Sequence, residues 1–432
     1  MGNYIRHRVQ SIMSDPFWKN VTTLFTGSVI AQALPILFFP ILTRIYTKEV
    51  LGIYFVFAAI GLLTQIIASF QYQLAIVLPK NTKDANHLLT INLIMVTSVS
   101  LLMLLIIWGF SDFILSLIEQ KDLKNWLFYI PLSTFFLGTF NAISYYFNRF
   151  NNYKTISLGR VIKSVVFLVF QIGLGLLGYK YSGLIVGYLI GQGASLFFLF
   201  FYLFNEAEYK IQINMRDIKR LVLEYKDIPL FNTLISFLNT LSNQLPMFVL
   251  TRYFGAAAAG EYGLANRTIS TPMGLIGQSV GQVFYQEAAR LKNQGNSLEN
   301  LVKTTYKRLL KIGIIPFILL ALFSPWIFKI VFSNEYYTSG EITRLLIPWL
   351  FVMFLNSPLS FIITVLNKQK VMVAYDTFLL AFRFFAFWAG YYFFDSLLIA
   401  IGFYSLVGFV FNALLLFYFL KISKQKAEIG YA

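Results

Sequence analysis

Two stretches, "TRIYTKEVLGIY" (43–54) and "TRYFGAAAAGEY" (251–262), carry the same skeleton: Thr-Arg, an aromatic residue two positions after the arginine, and a closing Gly-x-Tyr. The offset is 208 residues throughout, from Thr43 to Thr251 and from Gly52 to Gly260. Each stretch begins at the end of the first apolar segment of its half of the chain, which argues for a duplicated unit. The offset spans an even number of segments, so both copies run the same way and form a parallel repeat about an axis normal to the membrane.

The surrounding sequence identifies the unit as six membrane helices. Of 432 residues, 57% are hydrophobic and 12% charged, with 46 phenylalanines, outside the range of soluble domains. Apolar stretches of roughly 20 residues, long enough to cross a hydrocarbon core of about 30 Å, recur from Val21 to Leu420. They predict twelve spans and an all-α integral membrane protein. The longest polar connection, 205–228, lies between the sixth and seventh spans. It separates a six-helix lobe at 1–204 from a second at 229–432. In that connection Ile218, Leu221, Val222 and Tyr225 keep helical spacing while Arg216, Lys219 and Arg220 occupy other faces, the pattern of a linker helix lying on an anionic leaflet.

The net charge of +16 needs no nucleic acid to explain it. With the N-terminus in the cytoplasm, most of the 35 Lys and Arg fall in inner loops and helix ends, the positive-inside pattern, with both termini inside. The lead, 1–20, has no small-residue cleavage signal and reads as a cytoplasmic tail. With no cysteine, and with the two histidines, His7 and His87, outside the spans, thiolate chemistry and histidine metal sites are not expected. No paired carboxylates or nucleophile constellation appear, so no catalytic or metal-binding residue and no cofactor is expected.

What the spans do contain is polar stripes. In "EYGLANRTISTPMGLIGQSVGQVFYQE" (261–287), Arg267, Thr271, Gly274, Gln278, Gln282 and Tyr285 fall within about 80° around a helix. The seventh span repeats the device with Asn232, Ser236, Asn239 and Asn243, and the first does so weakly with Ser28 and Gln32. Amides facing lipid are costly, so these faces point to protein or to water. Glycines at 183, 187 and 191 read as helix packing. Packing does not account for Arg267. An arginine near a helix centre costs about 2.5–3.5 kcal/mol on insertion scales and cannot discharge by losing its proton. Arg267 therefore calls for an anion or water, from a substrate, from a partner on another helix, or by snorkelling to the outer surface. Arg383 lies mid-span with Asp376 on the same face two turns before it, which reads as an ion pair, or as a coupling site for H+ or Na+. Arg44 and Arg252 read as interfacial anchors. Pro35, Pro40 and Pro246 interrupt the first span of each half and are the expected hinges.

The segment "ANRTISTPMGLIGQSVG" resembles the lipid II flippases, whose pattern has Pro five residues after the arginine and Gly at seven, ten and fourteen, here Pro272, Gly274, Gly277 and Gly281. Asn266 stands where those flippases have Asp, which puts an acid-dependent role at that position in question. The opening, "VTTLFTGSVIAQALPILFFPILTRIYTKEVLGIYFVFAAIGLLTQIIASFQYQLAIVLPK" (21–80), is more similar to the oligosaccharide flippases of O-antigen and capsule pathways. The resemblance implies the multidrug/oligosaccharidyl-lipid/polysaccharide (MOP) exporter superfamily, with a MATE-like fold of two six-helix lobes. It implies alternating access in a bacterial inner membrane, driven by a coupling ion or the membrane potential. The implied substrate is an undecaprenyl-pyrophosphate-linked oligosaccharide, contacted by Arg267, Gln278, Gln282, Asn239, Asn243 and Gln32. The implied neighbours are membrane lipids, a polysaccharide polymerase and a chain-length regulator. A multidrug exporter of the same fold is the alternative, although intramembrane acids of the kind such exporters use are few here. A membrane polymerase or glycosyltransferase is a third reading, weakened by short external loops.

Overall fold

The computed structural model describes residues 16–118, 124–205, 209, 214–366 and 368–424, and the secondary structure there is helical, with no strand among the described residues. The N-terminal lead through residue 15 and most of 206–213 lie outside them. The first six long helices are α1 (Pro16–Ile45), α2 (Lys48–Ser69), α3 (Thr82–Ile118), α4 (Ile130–Arg149), α5 (Tyr153–Leu176) and α6 (Gly183–Asn205). A short helix, α7 (Met215–Glu224), leads through a π-helical turn at Ile228–Asn232 into α8 (Thr233–Asn293), followed by α9 (Glu299–Phe332), α10 (Tyr337–Leu359), α11 (Gln369–Phe394) and α12 (Leu397–Ser423). Ten helical segments, all but α7 and α8, are long and apolar enough to cross a membrane.

The long helix outside this set is α8, which holds the polar residues discussed above. Its 61 residues are interrupted at Gly255, whose φ of 84° lies in the region that favours glycine. The break makes two arms, 233–254 and 256–293. With these arms the described residues supply twelve long segments, in keeping with the expected number.

The chain forms two compact units, one comprising residues up to 46 and 53–240, the other 47–52 and 241–432. In the first, α1 packs on α5 through close small-residue contacts. A Cβ at Gly27 would strike Ser157, and Ser164 Oγ donates to the Ala31 carbonyl at 2.7 Å. The glycines of α6 pack as expected: Gly187 fits against Gln171 and Gly191 against Phe167, while Gly183 makes room for the Tyr46 hydroxyl. At one end a core of Tyr72, Leu88, Tyr146, Leu199 and Tyr209 closes over Leu221 of the linker helix α7.

That last contact corrects one expectation. The apolar face of α7 is turned to protein rather than to the bilayer: Leu221 is fully buried, and Ile218, Val222 and Tyr225 pack against the same core. The reason is a set of polar contacts the linear pattern does not show. Arg220 reaches Asp84 at 2.5 Å, Lys83 reaches Asp217 at 3.4 Å, and Tyr72 donates to the Val222 carbonyl at 3.2 Å. Burying Leu221 alone contributes about 1.5–3 kcal/mol.

In the second unit the repeated skeleton meets itself. Gly52 faces the Ala256 carbonyl and the Gly260 nitrogen, while Gly260 faces the Lys48 carbonyl and the Gly52 nitrogen. Positions 48 and 52 thus contact 256 and 260, the same pair shifted by the repeat offset, so the contact is reciprocal. Any side chain at either glycine would run into backbone, which explains why the Gly of Gly-x-Tyr stands in both copies. Beside this contact, Lys48 Nζ and Glu261 Oε1 form an ion pair at 2.5 Å, with side-chain exposures of 22% and 8%. The far end of the unit is held by a core of Phe284, Leu298, Val302, Leu359, Ile362 and Phe419.

Candidate functional site

The second arm of α8 presents two kinds of surface on its polar side. On one flank, a Cβ at Gly277 would strike Ser357 and one at Gly281 would strike Phe361, so these glycines allow α10 and the turn after it to approach closely. A Cβ at Gly274, by contrast, would have no neighbour within 4 Å. Around that open position lie exposed Gln278, Gln282 and Tyr285, with Thr271 and Arg267 half-buried above them. An amide-rich, open helix face inside a membrane-spanning segment is stable only where water or a polar ligand reaches it. Arg267 also has an interaction within the folded chain.

The first arm continues the polar character. Asn239 is exposed, and Ser236 and Asn243 are half-buried. Pro246 lies within this arm and Pro35 and Pro40 within α1, yet each helix runs on through them, and the backbone break in α8 is at Gly255 instead. In α1, Gln32 is half-buried and Ser28, one turn earlier, is buried. Arg44 and Arg252 are both exposed, Arg44 donating to the Pro40 carbonyl and Arg252 lying over the Tyr253 ring, as interfacial anchors do.

The predicted pairing of Asp376 with Arg383 is not what the structure contains. Both are buried, at 2% and 1% exposure. The Arg383 guanidinium instead sits in the corner made by the rings of Trp349 and Tyr404, which meet edge to face, 4.4 and 4.5 Å from their centroids. Its Nη1 donates to Ser242 Oγ at 2.9 Å and approaches Asn243 Oδ1 at 3.4 Å, and it forms no ion pair among the described residues. Two aromatic faces stand in for the missing anion, because the ring quadrupoles attract a desolvated cation. Helical spacing brings residues 376 and 383 to one face but cannot show that a tryptophan on α10 and a tyrosine on α12 fill the space beside the arginine. Arg383 thus ties α11 to the polar face of α8 next to Asn243. Asp376 has its own interaction in the chain.

Two features have no signal in the linear sequence. Glu261 is an acid within the repeated skeleton whose partner, Lys48, is distant in sequence. Arg160 sits near the start of α5, where a basic residue passes for one more positive-inside charge. No group of three or more His, Cys, Asp or Glu placed to hold a metal occurs among the described residues.

The sequence matches one family model, and the fold matches solved structures. A family model described as "Polysaccharide biosynthesis protein" matches residues 41–341. The chain belongs to this family. Comparison with curated protein sequences gives no match. Among solved structures, the lipid II flippase MurJ in an inward closed conformation is similar with a TM-score of 0.74 and 16% identity, covering 94% of this chain and 89% of that one. A point mutant of the Vibrio cholerae MATE transporter VcmN is similar with a TM-score of 0.64 and 13% identity over 94% and 95%. An inward-facing multidrug resistance MATE transporter of the MOP superfamily gives 0.58 and 14% over 92% and 95%. At these identities the likeness is one of fold. The chain is a multi-pass membrane protein with the fold these transporters share.

Proposed function

We propose that the protein flips an undecaprenyl-pyrophosphate-linked oligosaccharide from the inner to the outer leaflet of a bacterial plasma membrane. The observation that carries this reading is the open polar face of α8, where Arg267 stands at the head of Thr271, Gly274, Gln278 and Gln282. A pyrophosphate requires a cation, and sugars require hydrogen-bonding amides; this face offers both on one helix. Asn239, Asn243 and Gln32 extend the amide set. A polymerase and a chain-length regulator are the natural recipients of the flipped unit. Asp376 is the residue through which H+ or Na+ would couple to movement, with the membrane potential as the other driving force.

The test is export in cells lacking the chromosomal copy. Arg267→Ala is expected to leave the protein inserted in the membrane and to abolish surface polysaccharide, with the lipid-linked unit accumulating on the cytoplasmic leaflet. Normal surface polysaccharide in that variant would remove Arg267 from the proposed role. Accumulation of no lipid-linked glycan after deletion of the whole gene would remove the substrate assignment itself.

A further inference from the structure

Arg160 lies seven residues into α5, about 10 Å along the axis at 1.5 Å per residue. It is half-buried, and its one hydrogen bond among the described residues runs from Nη1 to Ser28 Oγ of α1 at 2.6 Å. The Tyr145 phenol is its other electrostatic neighbour. It forms no ion pair among the described residues. The acids of the first unit that do form ion pairs are committed elsewhere: Asp84 and Glu224 to Arg220, Asp217 to Lys83 and Arg220, and Asp112 to Lys124.

The guanidinium cannot shed its proton, and a serine hydroxyl uses only one of its five donors without supplying negative charge. Arg383 meets the same difficulty with two aromatic faces and is sealed from solvent. Arg160 has no such pair of rings around it and is half-buried. Three residues further along α5, and about 60° around it, stands Lys163, also half-buried, its ammonium 5.6 Å from the Tyr188 ring centroid. Two cations on one helix face, one of them a fork that matches paired oxygens, make a site for phosphate.

We infer that Arg160 and Lys163, at the edge of the α1–α5 contact, bind the phosphate group of a membrane-embedded lipid. The orientation set by the distribution of basic residues places this end of α5 toward the cytoplasmic leaflet, where both bilayer phospholipids and a lipid-linked diphosphate carry such a group. The inference concerns a different unit and different residues from the Arg267 face, so it stands or falls separately from the substrate proposed above.

The test uses the full-length protein in neutral detergent, titrated with three probes and read by native mass spectrometry: phosphatidylglycerol, undecaprenyl diphosphate, and diacylglycerol as a phosphate-free control. The wild type is expected to hold at least one phosphate-bearing probe in preference to diacylglycerol, and Arg160→Gln to weaken that probe about tenfold, with Arg160→Lys intermediate. Loss confined to undecaprenyl diphosphate assigns the site to cargo, and loss confined to phosphatidylglycerol assigns it to a bilayer lipid; either supports it. Ser28→Ala separates binding from packing, since it frees the guanidinium and is expected to keep or tighten the probe. Unchanged affinities in Arg160→Gln, or equal losses in Arg160→Gln and Ser28→Ala, overturn the inference. Should Arg160→Gln fail to fold, Lys163→Gln is read in its place, with a several-fold loss expected and no loss overturning.

Discussion

The aromatic corner around Arg383 gives a prediction whose sign depends on the physics invoked. Each ring contact, at 4.4 and 4.5 Å, contributes up to about 2 kcal/mol for a desolvated cation. The charge-assisted hydrogen bond to Ser242 adds about 1.5–3 kcal/mol. Against roughly 5–7 kcal/mol of attraction stands a desolvation penalty of several kcal/mol for burying one ion, so the net contribution is small. Arg383→Met, which fills the same slot without charge, is therefore expected to lie within about 1–2 kcal/mol of the wild type. Arg383→Ala leaves a cavity beside the two rings and is expected to cost about 3–5 kcal/mol. Arg383→Lys keeps the full desolvation penalty but loses the guanidinium's contact with both rings, and is expected to cost about 2–4 kcal/mol. The assay is thermal unfolding of the purified variants in one detergent, which predicts the order wild type and Met above Lys and Ala. A lysine variant as stable as the wild type, or a methionine variant as damaged as alanine, would refute the reasoning.

Other substitutions probe the remaining features. Gly260→Ala drives a methyl group into the Lys48 carbonyl and is expected to cost about 1–3 kcal/mol, seen as a lowered unfolding temperature. Lys48→Met strands the mostly buried Glu261 carboxylate at a cost of about 1–3 kcal/mol, between surface and fully buried pairs, and Lys48→Glu with Glu261→Lys is expected to recover part of it. Leu221→Asp undocks α7, which limited proteolysis would register as faster cleavage between residues 214 and 232; an unchanged rate would count against the docking described.

Much of the fold was legible because membrane solvation leaves few options. Apolar segments of span length must be helices. The glycines of α6 and the open stripe of α8 followed from helical spacing alone. The misread elements share a cause: their neighbours are remote in sequence. The apolar stripe of α7 is equally suited to lipid or to protein, and only Asp84 and Lys83 at the start of α3 decide between them. Helical spacing points Arg383 at Asp376 because Trp349 and Tyr404 are invisible from α11. Charge counting gives Arg160 no reading of its own, since its partner Ser28 lies on another helix.

The ion pair beside the reciprocal glycine contact bears on the symmetry of the repeat. The positions equivalent to Lys48 and Glu261 in the opposite copy are Ala256 and Ile53, so the pair exists once, not twice. Two identical subunits would have carried any such substitution on both sides, forcing lysine and glutamate together in each copy. A lone pair is open to a single chain, whose halves differ in sequence. At this contact the two glycines keep the symmetry of the repeat, and Lys48 with Glu261 breaks it.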